Sequence, residues 1–91
     1  MRFSFEVGND ERNVVEYEFN QLFGRLTIKV NDRAIKRTVR LFSEPIREVY
    51  SFDIGDSEQV SIRIEKERRR LYGQINRVFV NNRLFQCYEG V

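Results

Sequence analysis

The stretch "VNDRAI", residues 30–35, returns almost unchanged as "VNNRLF", residues 80–85. In each copy a pair of residues that tolerates positive φ follows a run of alternating apolar and polar residues, Asn31-Asp32 in the first and Asn81-Asn82 in the second. This combination is typical of a β-hairpin whose strands are joined by a two-residue type I′ turn. The repeat therefore predicts two tight hairpins, one in each half of the chain.

A two-residue turn sets the pairing within each hairpin. It places Val30 opposite Arg33 and Ile28 opposite Ile35, and the second copy follows the same count. Because alternate residues of a strand point to the same face, Cys87 should share the inward face with Phe85. We therefore expect Cys87 to be a small buried side chain.

A period of two runs through the rest of the chain as well. Apolar residues alternate with polar ones at Phe3-Phe5-Val7, Val15-Tyr17-Phe19, Tyr50-Phe52-Ile54 and Val60-Ile62-Ile64. Gly, Asn, Asp and Pro separate these runs, and no segment combines helical spacing with helix caps. We predict an all-β protein, a compact antiparallel β-sandwich of about eight strands built from consecutive hairpins, in a single domain over residues 1–91.

Composition describes an ordinary folded chain with a small net charge. Of its 91 residues 41% are hydrophobic and 33% charged, and the net charge is +2 with both signs interspersed. No apolar segment is long enough for a signal peptide or a membrane span. A single cysteine fits a reducing compartment. These features predict a cytoplasmic protein that does not act at a membrane.

Several kinds of catalytic and metal site have no residues to build them. The chain contains no histidine, one cysteine and no glycine-rich phosphate loop, which favours a non-enzymatic protein without a cofactor or a metal. Two alternatives remain open. Glu16 and Glu18 share one face of a strand at about 6.5 to 7 Å, near the separation of an inverting glycosidase pair. Asp53, Asp56 and Glu58 flank a turn and offer oxygen ligands to calcium.

The two copies of the hairpin differ in the residues on their second face. Phe79 and Leu84 of the second copy stand where the first has Lys29 and Ala34. The second hairpin therefore carries apolar side chains on both faces, and an apolar patch that stays exposed often marks a contact site. Phe79 and Leu84 are our candidate contact residues for a protein partner.

A basic segment provides a second candidate site. Residues 65–73, "EKERRRLYG", interrupt the alternation and predict a long loop or a hairpin tip. Its candidate contacts with an anion or a nucleic acid are Lys66, Arg68, Arg69, Arg70 and Tyr72. Basic side chains beside an aromatic ring are typical of single-strand binding, but neighbouring glutamates dilute the charge and favour a solvated tip.

The ordered segments together resemble a known family. They are "VVEYEF" (14–19), "GRLTIKVNDRAI" (24–35), "VYSFDIG" (49–55), "VSIRIE" (60–65) and "INRVFVNNRLF" (75–85). They resemble one domain of the Fas apoptosis inhibitory molecule family, whose compact all-β sandwiches carry two similar hairpins, and the resemblance covers nearly the whole chain. It implies a non-enzymatic protein that works through protein contacts, associated in animals with cell-survival signalling and protection against aggregation. Unlike that family, this chain has no tryptophan.

Two functional hypotheses follow from these observations. The first is a protein-interaction module of unknown process with an unidentified protein partner, acting as a monomer or a homodimer. The alternative is a small β-domain that binds nucleic acid or phosphate through the basic segment 66–72.

Overall fold

The computed structural model describes residues 1–20, 24–39, 46–69 and 73–90, and these parts of the chain are built from β-strands. The strands are β1 (Arg2–Val7), β2 (Asn13–Asn20), β3 (Arg25–Val30), β4 (Arg33–Val39), β5 (Arg47–Ile54), β6 (Val60–Arg68), β7 (Gln74–Val80) and β8 (Arg83–Gly90). The prediction of an all-β chain of about eight strands in consecutive hairpins is confirmed.

The strands form two antiparallel sheets of four strands each. The unit Met1–Glu44 contains the sheet β1-β2-β3-β4, and the unit Pro45–Val91 contains the sheet β5-β6-β7-β8. In both sheets the strands lie side by side in chain order, as expected when each connection is a short hairpin. The single domain over residues 1–91 stays a prediction.

The first sheet has one buried face and one polar face, as the alternation predicted. Phe3, Tyr17 and Ile28 lie on the buried face of three successive strands. The rings of Phe3 and Tyr17 stack with their centroids 4.5 Å apart. Such an aromatic pair contributes about 0.5 to 1.5 kcal/mol to stability beyond the contribution from burying the two rings.

The second sheet repeats this arrangement with mainly aliphatic side chains. Tyr50, Ile62, Ile64 and Val78 are buried on β5, β6 and β7. Asn76 lies farther along the same face. Its side-chain amide nitrogen donates a 2.9 Å hydrogen bond to Gln74 Oε1, also on β7. This bond satisfies the buried amide nitrogen, which would otherwise cost about 1 to 3 kcal/mol.

The two tight turns have the predicted backbone. All four turn residues have positive φ: Asn31 at 49°, Asp32 at 67°, Asn81 at 50° and Asn82 at 69°. These values belong to a type I′ turn, whose twist matches that of the strands it joins. The two type I′ hairpins are therefore confirmed.

The first residue of each turn also connects its hairpin to a third strand. The Asn31 N–H donates to the Val14 carbonyl at 2.9 Å, and the Val14 N–H donates to Asn31 Oδ1 at 2.9 Å. Asn81 makes the same two bonds with Ser61, at 2.8 and 2.9 Å. The asparagine amide oxygen acts as a backbone carbonyl would, so the ladder to the preceding strand continues into the turn.

A β-bulge corrects the predicted register in the first hairpin. Val30 does pair with Arg33 as predicted, but the register shifts at Ile28/Lys29, so Ile28 pairs with Lys36 instead of Ile35. A bulge adds one residue to a strand and moves every later side chain to the other face. The predicted phase of β4 is therefore wrong beyond the turn.

The same bulge lies in the second hairpin and changes the placement of Cys87. Val78 pairs with Gln86 instead of Phe85, and Cys87 pairs with Arg77 on the outer face. Cys87 is exposed. The expectation that this thiol is buried was wrong because the sequence pattern does not show the extra residue.

The repeat extends well beyond the six residues that reveal it. In both units the first two strands are joined through a glycine with strongly positive φ, Gly8 at 104° and Gly55 at 100°. The strand order, the type I′ turn, the asparagine bonds and the bulge also recur. The two units are therefore two copies of one four-stranded meander.

Substitutions at Asn81 separate the two roles of this residue. Asn81→Gly keeps the positive φ and loses the bond from Ser61, so we expect a loss of about 1 kcal/mol in the free energy of unfolding. Asn81→Ala adds the cost of a left-handed Cβ, roughly 1 kcal/mol more. Urea unfolding measures both, with Asp32→Gly as a neutral or stabilising control. Equal stability of the two Asn81 variants would contradict this account.

The bulge is tested by the reactivity of Cys87. We expect the native protein to react with a disulfide reagent such as dithionitrobenzoate about as fast as the unfolded chain, because the thiol faces solvent. A thiol that reacts only after denaturant is added would show that β8 follows the uninterrupted alternation.

Candidate interaction surfaces

The outer face of the second sheet combines apolar and cationic side chains. Phe79 pairs with Leu84 across β7 and β8, and with Arg63 across β6 and β7. Leu84 is 59% exposed, whereas Phe79 is half-buried. We call Arg63, Phe79 and Leu84 the hairpin surface. Both residues chosen from the sequence therefore lie together on one face.

Arg63 accounts for the partial burial of Phe79. Its guanidinium carbon lies 4.2 Å from the centroid of the Phe79 ring, a cation–π contact. Arg63 also donates to Glu65 Oε2 at 2.9 Å and to Asn82 Oδ1 at 2.6 Å. Three partners hold this side chain in one position, so it forms a fixed cationic cover over one side of the ring. Sequence reasoning did not single out Arg63, although its register opposite Phe79 follows from the hairpins.

A shallow groove adjoins the hairpin surface. Its volume is about 360 Å³, and its lining comprises Ser51, Phe52, Asp53, Ser61, Ile62, Arg63, Phe79, Asn81 and Asn82. The Ser61 hydroxyl donates to Asp53 at 2.7 Å within this groove. The groove therefore offers polar groups beside the apolar side chains of the hairpin surface.

The basic segment lies partly within a strand. β6 continues to Arg68, so residues 65–68 are not part of a loop, which corrects the predicted end of that strand. Lys66 is only 3% exposed, on the buried face of β6, whereas Arg68 and Arg69 are exposed. Arg70 and Tyr72 lie outside the described residues. Contact of this segment with an anion stays a prediction, but a buried Lys66 does not present its charge to solvent.

The Glu67 carboxylate lies within ion-pair distance of three arginines on the outer face. Arg77 approaches Glu67 Oε2 at 3.1 Å, Arg69 approaches Oε1 at 3.9 Å and Arg47 approaches Oε2 at 4.0 Å. The hydrogen bond from Arg77 is the main reason that the pKa of Glu67 lies below its ordinary 4.5, and the charges of Arg69 and Arg47 act in the same direction. The single charge of Glu67 therefore offsets about one of the three positive charges around it.

The acidic residues considered from the sequence belong to both units. Glu16 and Glu18 line a groove of about 450 Å³ on the outer face of the first sheet. Glu18 forms a 3.0 Å ion pair with Arg2. Among the described residues no three His, Cys, Asp or Glu side chains are grouped to hold a metal ion, so Asp53, Asp56 and Glu58 do not form such a group.

A cationic surface that sequence reasoning missed lies on the first hairpin. Arg25 and Arg37 are exposed and Lys29 is partly exposed, all on the outer face of β3 and β4. The basic residues are visible in the sequence, but the bulge that places Arg37 on the same face as Arg25 and Lys29 is not.

The chain matches no protein-family model, no curated protein and no solved structure. The part of the chain that the structure describes contains no helix that is long and apolar enough to cross a membrane. The functional argument therefore rests on the surfaces themselves.

The lowered pKa of Glu67 makes a pH-dependent contribution to stability. Because the folded pKa is below 4.5, the contribution is complete above that pH and is lost as the pH falls through the folded value. We expect Glu67→Gln to lower the thermal midpoint at neutral pH. In acid the thermal midpoints of the variant and the wild type should become equal. Glu89→Gln is the control on an exposed carboxylate. A Glu67→Gln difference that stays constant down to acid pH would contradict the ion-pair origin.

Proposed function

We propose that this protein is a non-enzymatic interaction module that binds an extended segment of a partner protein along strand β8. The observation that carries the proposal is the exposure of Leu84 beside Phe79, on the strand that ends the second sheet. A protein partner would cover Leu84 and gain the apolar area that the folded chain leaves in water.

The position of β8 at the end of its sheet favours a partner in extended conformation. A terminal strand presents backbone N–H and C=O groups along its outer edge, and an added strand pairs with them. β8 is eight residues long, and residues 83–87 are all exposed. Backbone pairing would supply affinity, and the hairpin surface would select the side chains.

The side chains of the edge strands distinguish β8 from β4. β4 carries Arg33, Lys36 and Arg37 within five residues, and charged side chains of this kind discourage strand addition. β8 carries exposed Leu84 and Phe85, 59% and 47% exposed, at the positions that follow its turn. The edge strand therefore carries mainly charged side chains in the first copy, whereas in the second it carries two large apolar ones after the turn.

Charge at the two ends of β8 specifies the partner further. Arg83 begins the strand and Glu89 lies near its end, both exposed. An antiparallel segment that complements this strand places an acidic residue beside Arg83, an apolar residue beside Leu84 and a basic residue beside Glu89. The resemblance to the Fas apoptosis inhibitory molecule family supports a role through protein contacts, and a cytoplasmic location belongs to the same proposal.

The proposal is tested by selection from a phage-displayed library of random linear peptides. We expect peptides enriched on the wild-type protein to carry apolar residues between acidic and basic ends. Leu84→Lys should weaken their binding about tenfold or more, because about 1.4 kcal/mol of lost burial corresponds to a factor of ten. Amide chemical shifts of isotope-labelled protein should change along β8 when a selected peptide is added.

The matched control is Ile35→Lys, which introduces the same charge at an exposed apolar residue of β4. This variant should bind the selected peptides as the wild type does. Equal loss in both variants, or shift changes along β4 instead of β8, would overturn the assignment of the site.

A further inference from the structure

We infer that the outer face of the first hairpin binds the phosphodiester backbone of single-stranded nucleic acid. The cations that carry this inference are Arg25, Lys29 and Arg37, which we call the basic face. They line a groove of about 350 Å³ together with Thr27, Thr38 and Glu18. The basic face shares no residue with the hairpin surface or the basic segment 66–72, so the inference does not depend on the proposed protein partner.

The cations of the basic face have no acidic partner within ion-pair distance among the described residues. This is true of Arg25, Lys29 and Arg37, and also of Arg33 at the turn. In the second unit, by contrast, Glu67 lies within 4.0 Å of three arginines, and Glu65 holds Arg63. The charge of the first hairpin is thus available to an external anion.

The carboxylate within the groove does not cancel that charge. Glu18 is bound by Arg2, which approaches it at 3.0 Å from β1 on the far side of the strand. Glu16 lies opposite Lys29 in the register, but the two do not come within ion-pair distance. The β3–β4 side of this face is therefore cationic, and its β2 side carries the compensating acids.

The arrangement of the basic face suits an extended polyanion. Arg25 and Lys29 lie four residues apart on one strand, which separates their Cα atoms by about 13 Å, and Arg37 lies beside Thr27 on the neighbouring strand, about 4.8 Å away. The hydroxyls of Thr27 and Thr38 add donors for phosphate oxygens. A flexible single strand can follow this row of donors, each phosphate taking one cation.

The two hairpins provide an internal comparison for this charge. They share the turn and the bulge, but Ile75, Phe79 and Cys87 of the second copy stand where the basic face has its three cations. The shared backbone does not require positive charge at these positions. The outer face of β1–β4 has no aromatic residue among its described positions, so we expect binding that depends on phosphate and hardly on base sequence.

The test is fluorescence anisotropy with a labelled oligothymidylate at a series of salt concentrations. Three phosphate contacts give a slope of log K against log salt of about −2, equivalent to a roughly 20-fold loss between about 50 and about 200 mM salt. Arg25→Ala/Lys29→Ala/Arg37→Ala should remove most of that slope. At about 0.1 M salt it should weaken binding by roughly 100-fold.

The matched control is Arg47→Ala/Arg68→Ala/Arg69→Ala, which removes the same net charge from exposed positions of the second unit. It should bind as the wild type does, as should Leu84→Lys and the charge-conserving Arg25→Lys/Arg37→Lys. A greater loss in the control triple than in the basic-face triple would overturn the inference and assign binding to the segment 66–72.

Two further probes distinguish other anionic partners. Polyglutamate and vesicles that contain phosphatidylserine are measured at the same salt concentrations. Binding of either probe as tight as that of the oligonucleotide, or no binding of the oligonucleotide at about 50 mM salt, would overturn a site built for a phosphodiester backbone. Weaker binding of both probes, with the loss confined to the basic-face triple, is the result that supports it.

Discussion

The asparagine that begins each tight turn makes the contact on which both hairpins depend. Its positive φ closes the type I′ turn. Its amide oxygen accepts a hydrogen bond from a backbone N–H of the strand before the hairpin, from Val14 to Asn31 and from Ser61 to Asn81. Glycine would satisfy the first requirement and not the second. One side chain thereby fixes three neighbouring strands in register, which explains why asparagine stands first in both copies.

The bulge after each turn has consequences for the surface. One extra residue in β4 and β8 exchanges the two faces of the strand beyond it, and it leaves Ile35 and Phe85 partly exposed. The two hairpins share this backbone but differ in their side chains. The first presents cations such as Lys29, and the second presents Phe79 beneath Arg63. A duplicated frame can in this way carry two surfaces of different chemistry on one short chain.

Much of the fold followed from local patterns in the sequence. Alternation placed Phe3, Tyr17 and Ile62 on buried faces, and the turn pairs predicted both hairpins, because these features depend on neighbouring residues alone. The candidate surface at Phe79 and Leu84 followed from comparing the two copies. The basic segment was less well predicted, since β6 continues through Lys66 and buries it. A run of charge resembles a loop until its strand partners are known.

The sequence by itself determined the strands, the two turns and the repeat, because each is specified by the conformational preferences of a few adjacent residues. Only the tertiary structure decided the bulges, the exposure of Cys87 and the cover that Arg63 forms over Phe79. It also decided that no described acidic residue lies within ion-pair distance of Arg25. These features depend on which residues of different strands meet. That pairing is set by hydrogen bonds and packing between segments distant in the chain, which no local pattern contains.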